Sequence, residues 1–310
     1  MRFGTEPELR MTDREFRMFA ELLRRHCGLH FGPETRVLLE KRVARRVNEL
    51  ELDSFAAYHY LMRSSSPGDG ELARLIDELT TNETYFFRER SQLSALIEEI
   101  VPERLLERRS RGGGPVTIWS AGCSSGEEPY SVMMLALEAG LAPRVDLRIF
   151  ASDVSRRMLR KARQGAYREA SFRETEPRLR ERYFVEKDGL WRISDDVKKQ
   201  VDFIHMNLVD PSKLALLGAV DAILCRNVII YFDVECKRRV IESLGEKLHL
   251  GGYLVLGRSE SLIGLSSSFE LRHLKNDLVY RKPMPGMASR DPWHRAAAAA
   301  IAQEAPEEGE

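Results

Sequence analysis

Cysteine is scarce and scattered: Cys27, Cys123, Cys225 and Cys236 form no CxxC pair and no cysteine–histidine cluster. Neither a structural zinc site nor a disulfide framework is therefore expected, and buried free thiols are. The seven histidines show no ligand spacing, so no metal is expected. Neither sign of charge is in excess, with 48 Lys and Arg against 48 Asp and Glu; net charge gives no reason to expect nucleic acid. No apolar run approaches the roughly 18 to 20 residues of a membrane span. The stretch Met1 to Arg10 lacks the apolar centre of a signal peptide. No membrane insertion is expected, and the cytoplasm is the expected compartment. The GxGxxG fingerprint of dinucleotide-binding proteins is also missing.

What is present divides into two patterns. Residues 13 to 81 read as successive helices: one capped by Thr12 or Asp13 and ending near Gly28, one from about Pro33 to Leu50, one from Asp53 or Ser54, and one from Glu71 to about Leu79. Residues 64 to 70 are a loop. A helical, arginine-rich stretch from Gln92 to Arg111 then meets Gly112-Gly113-Gly114-Pro115, and strand and helix alternate from Val116 onward. Strands are expected at Val116–Trp119, Arg144–Ala151, Val201–His205 and Val220–Cys225. After a Gly251-Gly252 turn a fifth follows at Tyr253–Gly257, and then a hairpin of Phe269–Leu274 with Leu278–Lys282. Such alternation predicts an α/β fold with a mostly parallel, Rossmann-like sheet. Between Tyr167 and Val201 the alternation lapses, and Lys187-Asp188-Gly189 sits at the turn of a small inserted hairpin. Past Pro283 the composition predicts a disordered tail.

The most informative stretch is WSAGCSSGEEPYS, Trp119 to Ser131. Strand, small-residue turn and helix together bring backbone N–H groups and a helix start up to a ligand. Glu127 and Glu128 at that turn would repel a pyrophosphate and suit a cationic group such as the ammonium of S-adenosylmethionine (SAM). Glu127 is equally readable as a favourable helix-terminal charge. Asp153, after the second strand, suits a ribose diol, which fits NAD and SAM alike, or caps the helix that follows. The missing GxGxxG, the paired glutamates and the C-terminal hairpin favour SAM.

Several stretches in order, TTNETYFFRER (80–90), WSAGCSSGEEPYS, FASDVSRRMLRKARQGAY (150–167), MNL (206–208), CRNVIIYFD (225–233) and GGYLVLGRSESL (251–262), make the chain resemble the CheR family of chemoreceptor glutamate methyltransferases. The resemblance covers about residues 12 to 283. It implies a helical N-terminal substrate-recognition domain (1–83) and a SAM-binding methyltransferase domain (84–283) with a β-subdomain insert (168–200), followed by a tail (284–310). It further implies cofactor contacts at Asn82, Thr84, Arg88, Glu128, Asp153, Asn207, Leu208, Arg226 and Asn227. Arg88 and Tyr231 are implied near the reacting groups.

For the substrate, the resemblance implies that an arginine-bearing second helix meets the acidic cytoplasmic helices of chemoreceptors. Arg42, Arg45 and Arg46 are the candidates, although a basic helical face is often only a solvated one. The short turn at Glu186-Lys187-Asp188-Gly189 predicts independence from a receptor C-terminal pentapeptide tether, and a monomer is expected. Two rivals stand beside this reading. A methyltransferase of nucleic acid bases would carry an Asn/Asp-Pro-Pro-aromatic run where Asn227-Val228-Ile229-Ile230-Tyr231 stands. A SAM sensor without chemistry would not need Arg88 and Tyr231.

Overall fold

The computed structural model describes residues 10–64, 70–80 and 82–284. Most of the 64–70 loop and the tail from 285 lie outside the described residues.

Helix α1 (Asp13–Cys27) begins at a reciprocal capping box: the Thr12 hydroxyl accepts from the Glu15 N–H, and the Glu15 carboxylate accepts from the Thr12 N–H at 2.8 Å. It ends at Gly28 in the left-handed region. A 3₁₀ turn at Pro33–Thr35 leads into α2 (Arg36–Glu49), so the second α-helix starts after Pro33 rather than at it. With α3 (Phe55–Ser64) and α4 (Glu71–Leu79) these helices enclose a core that includes Phe19, Leu23, Leu39, Val43, Val47, Phe55 and Leu75.

Helix α5 (Arg90–Ala95) passes through a π-helical turn at Leu96–Ile100 into α6 (Val101–Ser110). The α/β part follows with β1 (Val116–Ala121), α7 (Glu127–Glu138), β2 (Leu147–Asp153) and α8 (Arg156–Gln164). The insert supplies β3 (Ala166–Tyr167), α9 (Pro177–Tyr183), β4 (Phe184–Lys187), β5 (Leu190–Ile193) and α10 (Asp195–Lys198). The chain then returns through β6 (Val201–His205), α11 (Pro211–Ala215), β7 (Val220–Cys225), α12 (Val234–Lys247), β8 (Leu248–Leu256), β9 (Glu270–His273) and β10 (Leu278–Arg281).

The main sheet runs β6-β2-β1-β7-β8-β10-β9, parallel from β6 to β8 and antiparallel at β10 and β9. Its strands are apolar on both faces, as a covered parallel sheet requires. Ile118, Ile149, Leu224 and Val255 pack with Val132 and Met133 of α7, whereas Trp119, Phe150, Ile223 and Leu254 pack with Val240 and Ile241 of α12. In the insert, β4 and β5 turn at Asp188-Gly189, both with positive φ, and β3 adds a third strand that periodicity did not reveal.

The strand starts differ most from expectation at β2 and β8. Strand β2 starts at Leu147 because residues 142–146 form a turn, with Arg144 at φ 62° and the Ala142 N–H held by Asp146 at 2.9 Å. Gly251 and Gly252 lie inside β8, at a register break opposite Val220 and Ala222, rather than in a turn before it. A Cβ on Gly252 would stand 2.9 Å from the His249 carbonyl oxygen and 3.0 Å from that of Asp221, so glycine is what lets the strand bulge and continue. Among the described residues no helix is long and apolar enough to cross a membrane.

Candidate active site

Strand β1 is where the sheet order turns: the chain goes outward to β2 and β6 on one side, then to β7 and β8 on the other. Ligands of such sheets sit beside the carboxyl ends of the strands at this point. A cavity of about 270 Å³ lies there, closed on its far side by Cys27, Leu29 and Thr80 of the helical bundle. Asn82, Thr84, Arg88, Glu128, Asp153, Asn207, Leu208, Arg226, Asn227 and Tyr231 all line it, whereas Arg42, Arg45 and Arg46 do not.

The turn after β1 is shaped by Gly122, at φ 83°, where a Cβ would stand 2.4 Å from a Val228 methyl. The next N–H groups, of Gly122 and Cys123, donate to the Ser152 carbonyl at 2.8 and 2.9 Å. Ser124, at φ 48°, donates its N–H to Asp153 at 2.8 Å. The other Asp153 oxygen accepts from the Ser155 N–H at 2.8 Å, so one carboxylate fixes both loops. Ser155, not Asp153, caps α8, its hydroxyl accepting from the Met158 N–H at 3.1 Å. Burial pushes the Asp153 carboxyl up to about 6, against the pull of these N–H donors. Beside it the buried Ser124 hydroxyl has no partner.

The paired glutamates part company. Glu127 does not face the cavity: it is 2 % exposed and accepts from Ser125 at 2.8 Å and from Ser171 of the insert at 3.2 Å. Glu128 lines the cavity, accepting from the Ser120 hydroxyl at 2.7 Å and from Arg226 at 2.9 Å. Burial raises its pKa, with the Arg226 guanidinium opposing the rise. Arg226 is itself spread over several acceptors, donating to Gln92 at 2.7 Å, to the Arg88 carbonyl at 2.5 Å and to Glu89 at 3.2 Å. It therefore ties the floor of the cavity to the segment that carries Arg88. Gln92, 3 % exposed, was read only as part of a helical stretch.

Arg88 donates to the Glu83 carbonyl at 2.8 Å and lies over the Tyr85 ring at 5.8 Å. Its neighbours Phe87 and Glu89 both take positive φ, as do Ser124 and Asn227 on the cavity wall. Non-glycine residues held in that region mark backbone set by its surroundings rather than by local preference. Asn82 bonds back to the Thr80 carbonyl at 2.9 Å. The Asn207 amide donates to the His26 carbonyl at the end of α1, bridging the two halves of the cavity. Tyr231 is half-buried, and its carbonyl accepts from the His30 N–H at 2.9 Å. Glu260, to which no role was given from sequence, gathers the backbone of the Asn227–Ile230 loop.

The three candidate arginines of α2 differ in exposure. Arg42 and Arg45 are 43 % and 59 % exposed, each 3.6 Å from Glu78. Arg46 is 13 % exposed and turns inward, donating to both oxygens of buried Glu71 at 2.6 and 2.9 Å. An arginine engaged in this way holds α2 to α4.

SAM needs an anion for its ammonium, acceptors for a ribose diol and an apolar seat for adenine. Glu128, Asp153, and Met206 with Leu208 supply groups of these kinds within one cavity. Comparison with known proteins points to the same cofactor. Residues 14–80 match the family model described as the CheR methyltransferase all-alpha domain, and residues 82–277 match that of the CheR methyltransferase SAM binding domain. Chemotaxis protein methyltransferase 2 of Vibrio cholerae is 38% identical over 90% of this chain and 96% of its own. The chemotaxis protein methyltransferase of Escherichia coli is 35% identical over 85% of this chain and 90% of its own. Chemotaxis protein methyltransferase 1 of Pseudomonas aeruginosa is 32% identical over 86% and 97%.

Proposed function

The chain belongs to the CheR methyltransferase family, and on that premise we propose how its cavity carries out methyl transfer to chemoreceptors. The protein is a SAM-dependent methyltransferase that esterifies glutamate side chains of chemoreceptors, leaving S-adenosylhomocysteine. The observation that carries the assignment of roles is the convergence of Glu128, Asp153, Arg88 and Tyr231 on one cavity.

Glu128 takes the ammonium of SAM, with Arg226 holding its carboxylate in place. Asp153 takes the ribose hydroxyls. Asn82, Thr84, Asn207, Leu208 and Asn227 complete the cofactor's surroundings. Bound SAM supplies an electrophilic methyl group. The attacking glutamate, with an ordinary pKa of about 4.3, is already ionised at neutral pH, so no residue here has to act as a general base. The protein contributes alignment and exclusion of water, effects worth on the order of 7 to 11 kcal/mol where reactants are well oriented. Arg88 is tethered to its own segment through the Glu83 carbonyl. It orients the incoming carboxylate without a tight pair that would blunt it. Tyr231 places its ring or hydroxyl beside the methyl.

The helical domain, ending near residue 83, recognises the receptor through the exposed Arg42 and Arg45, and the α/β domain holds the cofactor. The reaction takes place in the cytoplasm, where the receptor helices are, and the enzyme acts as a monomer. The two-residue Asp188-Gly189 turn between β4 and β5 supports independence from a pentapeptide tether; micromolar binding of such a peptide in calorimetry would show otherwise.

Incubation with methyl-labelled SAM and receptor cytoplasmic fragments tests the whole reading. A base-labile label mapped to glutamates is the expected result, and its absence from every fragment overturns it. Arg88→Ala and Tyr231→Phe are each expected to lower turnover at least tenfold. Near-normal rates in both would remove these side chains from the mechanism.

A further inference from the structure

The loop that carries Asn227 and Tyr231 closes on itself through two turn hydrogen bonds, from the Tyr231 N–H to the Val228 carbonyl at 3.3 Å and from the Phe232 N–H to the Ile229 carbonyl at 3.1 Å. It follows β7, passes through Asn227 at φ 59°, and forms a 3₁₀ turn at Ile229–Tyr231. Three of its backbone N–H groups meet one side chain from another loop. Glu260, which follows β8, accepts from the Asn227 N–H at 2.7 Å, the Val228 N–H at 2.9 Å and the Ile230 N–H at 3.3 Å, and also from the Gly257 N–H at 2.8 Å. A carboxylate offers about four lone-pair directions, and here four donors use them.

The carboxylate is itself firmly mounted. The Glu260 N–H donates to the Gly257 carbonyl at 2.9 Å, and the neighbouring Leu262 N–H donates to the Tyr280 hydroxyl at 3.2 Å. Gly257 lets the two loops touch, since a Cβ there would stand 2.9 Å from the Asn227 nitrogen. We propose that Glu260 is a positioning residue for methyl transfer: its carboxylate fixes the Asn227–Ile230 backbone and thereby sets where Tyr231 stands against the reacting methyl. The inference rests on the methyltransferase reading of the cavity.

Acceptor capacity, not volume, is what this role requires. Glutamine matches the size of glutamate but turns an NH₂ group toward two backbone donors, whereas aspartate keeps both acceptor oxygens on a shorter stem. Turnover, receptor KM, SAM affinity and thermal melting are to be measured for the full-length wild type, Glu260→Gln and Glu260→Asp. Glu260→Gln is expected to lose about ten- to a hundredfold in kcat at saturating SAM with receptor KM within about twofold of wild type, the signature of lost alignment. Glu260→Asp is expected to recover much of that loss although it removes more volume.

A Glu260→Gln enzyme with kcat within about twofold of wild type overturns the proposal. So does a Glu260→Asp enzyme no better than Glu260→Gln, because packing alone would then explain both. If Glu260→Gln does not accumulate folded, Glu260→Asp and Glu260→Asn, equal in size, decide the matter: a kcat at least about tenfold higher for the Glu260→Asp enzyme at similar receptor KM supports the role, and equal kcat overturns it. A wild type that transfers no methyl to any receptor fragment refutes the underlying reading instead.

Discussion

Asp153 shows how a single carboxylate joins stability of the free enzyme to its affinity for cofactor. Burial lifts its pKa to about 6, so it gains a proton as pH falls through that value, and a protonated carboxyl is a poorer acceptor for a diol. Hydrogen bonds from the ribose favour the ionised form, so binding is linked to proton release: SAM affinity should rise from pH 5 to 7 and level off above. Calorimetry across that range checks this, and an affinity flat with pH would place the ribose elsewhere. Asp153→Asn should bind weakly at every pH and lose the dependence. That Asp153 and Glu128 line the cavity was legible because each stands at the end of a strand or the start of a helix, where sequence order alone fixes position. Glu260 and Gln92 were not, because what makes them matter is an approach of distant loops: Gln92 reaches Arg226, and Glu260 reaches Asn227, from places that carry no local signal.

At the scale of the helix, α2 carries two kinds of arginine that a helical wheel draws alike. Arg42 and Arg45 keep much of their surface in water, and replacing both with glutamate should lower kcat/KM for receptor about tenfold at low salt, with the deficit shrinking as salt screens the face. SAM affinity should not change; if methylation is also unchanged, the face is ordinary surface. Arg46→Ala should instead cost about 3 kcal/mol of stability, because it leaves buried Glu71 without its fork, and urea denaturation would read this as a lower midpoint. A midpoint like that of wild type would return Arg46 to the receptor-facing set. The wheel could not separate them, since Glu71 lies on another helix. The same limit explains the strands. β6 and β7 were readable from their apolar runs and end residues, whereas β3 exists only because β5 pairs with it, and the glycines in β8 are explained by how closely Asp221 and Arg104 approach them.

For the whole molecule the question is whether the helical bundle is a separate body or a wall of the site. The contacts between them surround the cavity. Asp77 on α4 accepts from the Ser155 hydroxyl at 2.6 Å, and its carbonyl accepts from Arg157 at 2.6 Å. Leu29 pairs with Phe232, the His30 N–H reaches the Tyr231 carbonyl, and the Asn207 amide reaches His26. The joins at Leu29, His30, Ser155 and Asn207 include or adjoin residues that line the cavity, so a ligand there should stiffen both sides together. A ligand that binds only the folded form, at a hundredfold excess over its Kd, stabilises it by about 2.7 kcal/mol. S-adenosylhomocysteine is therefore expected to raise the melting temperature of the full chain in a single transition. It should also slow hydrogen exchange at the end of α1, at His30 and in α4 as well as in the α/β part. Protection confined to residues beyond 116, or two transitions of which only one moves, would mean that the bundle is carried alongside the cofactor site rather than built into it.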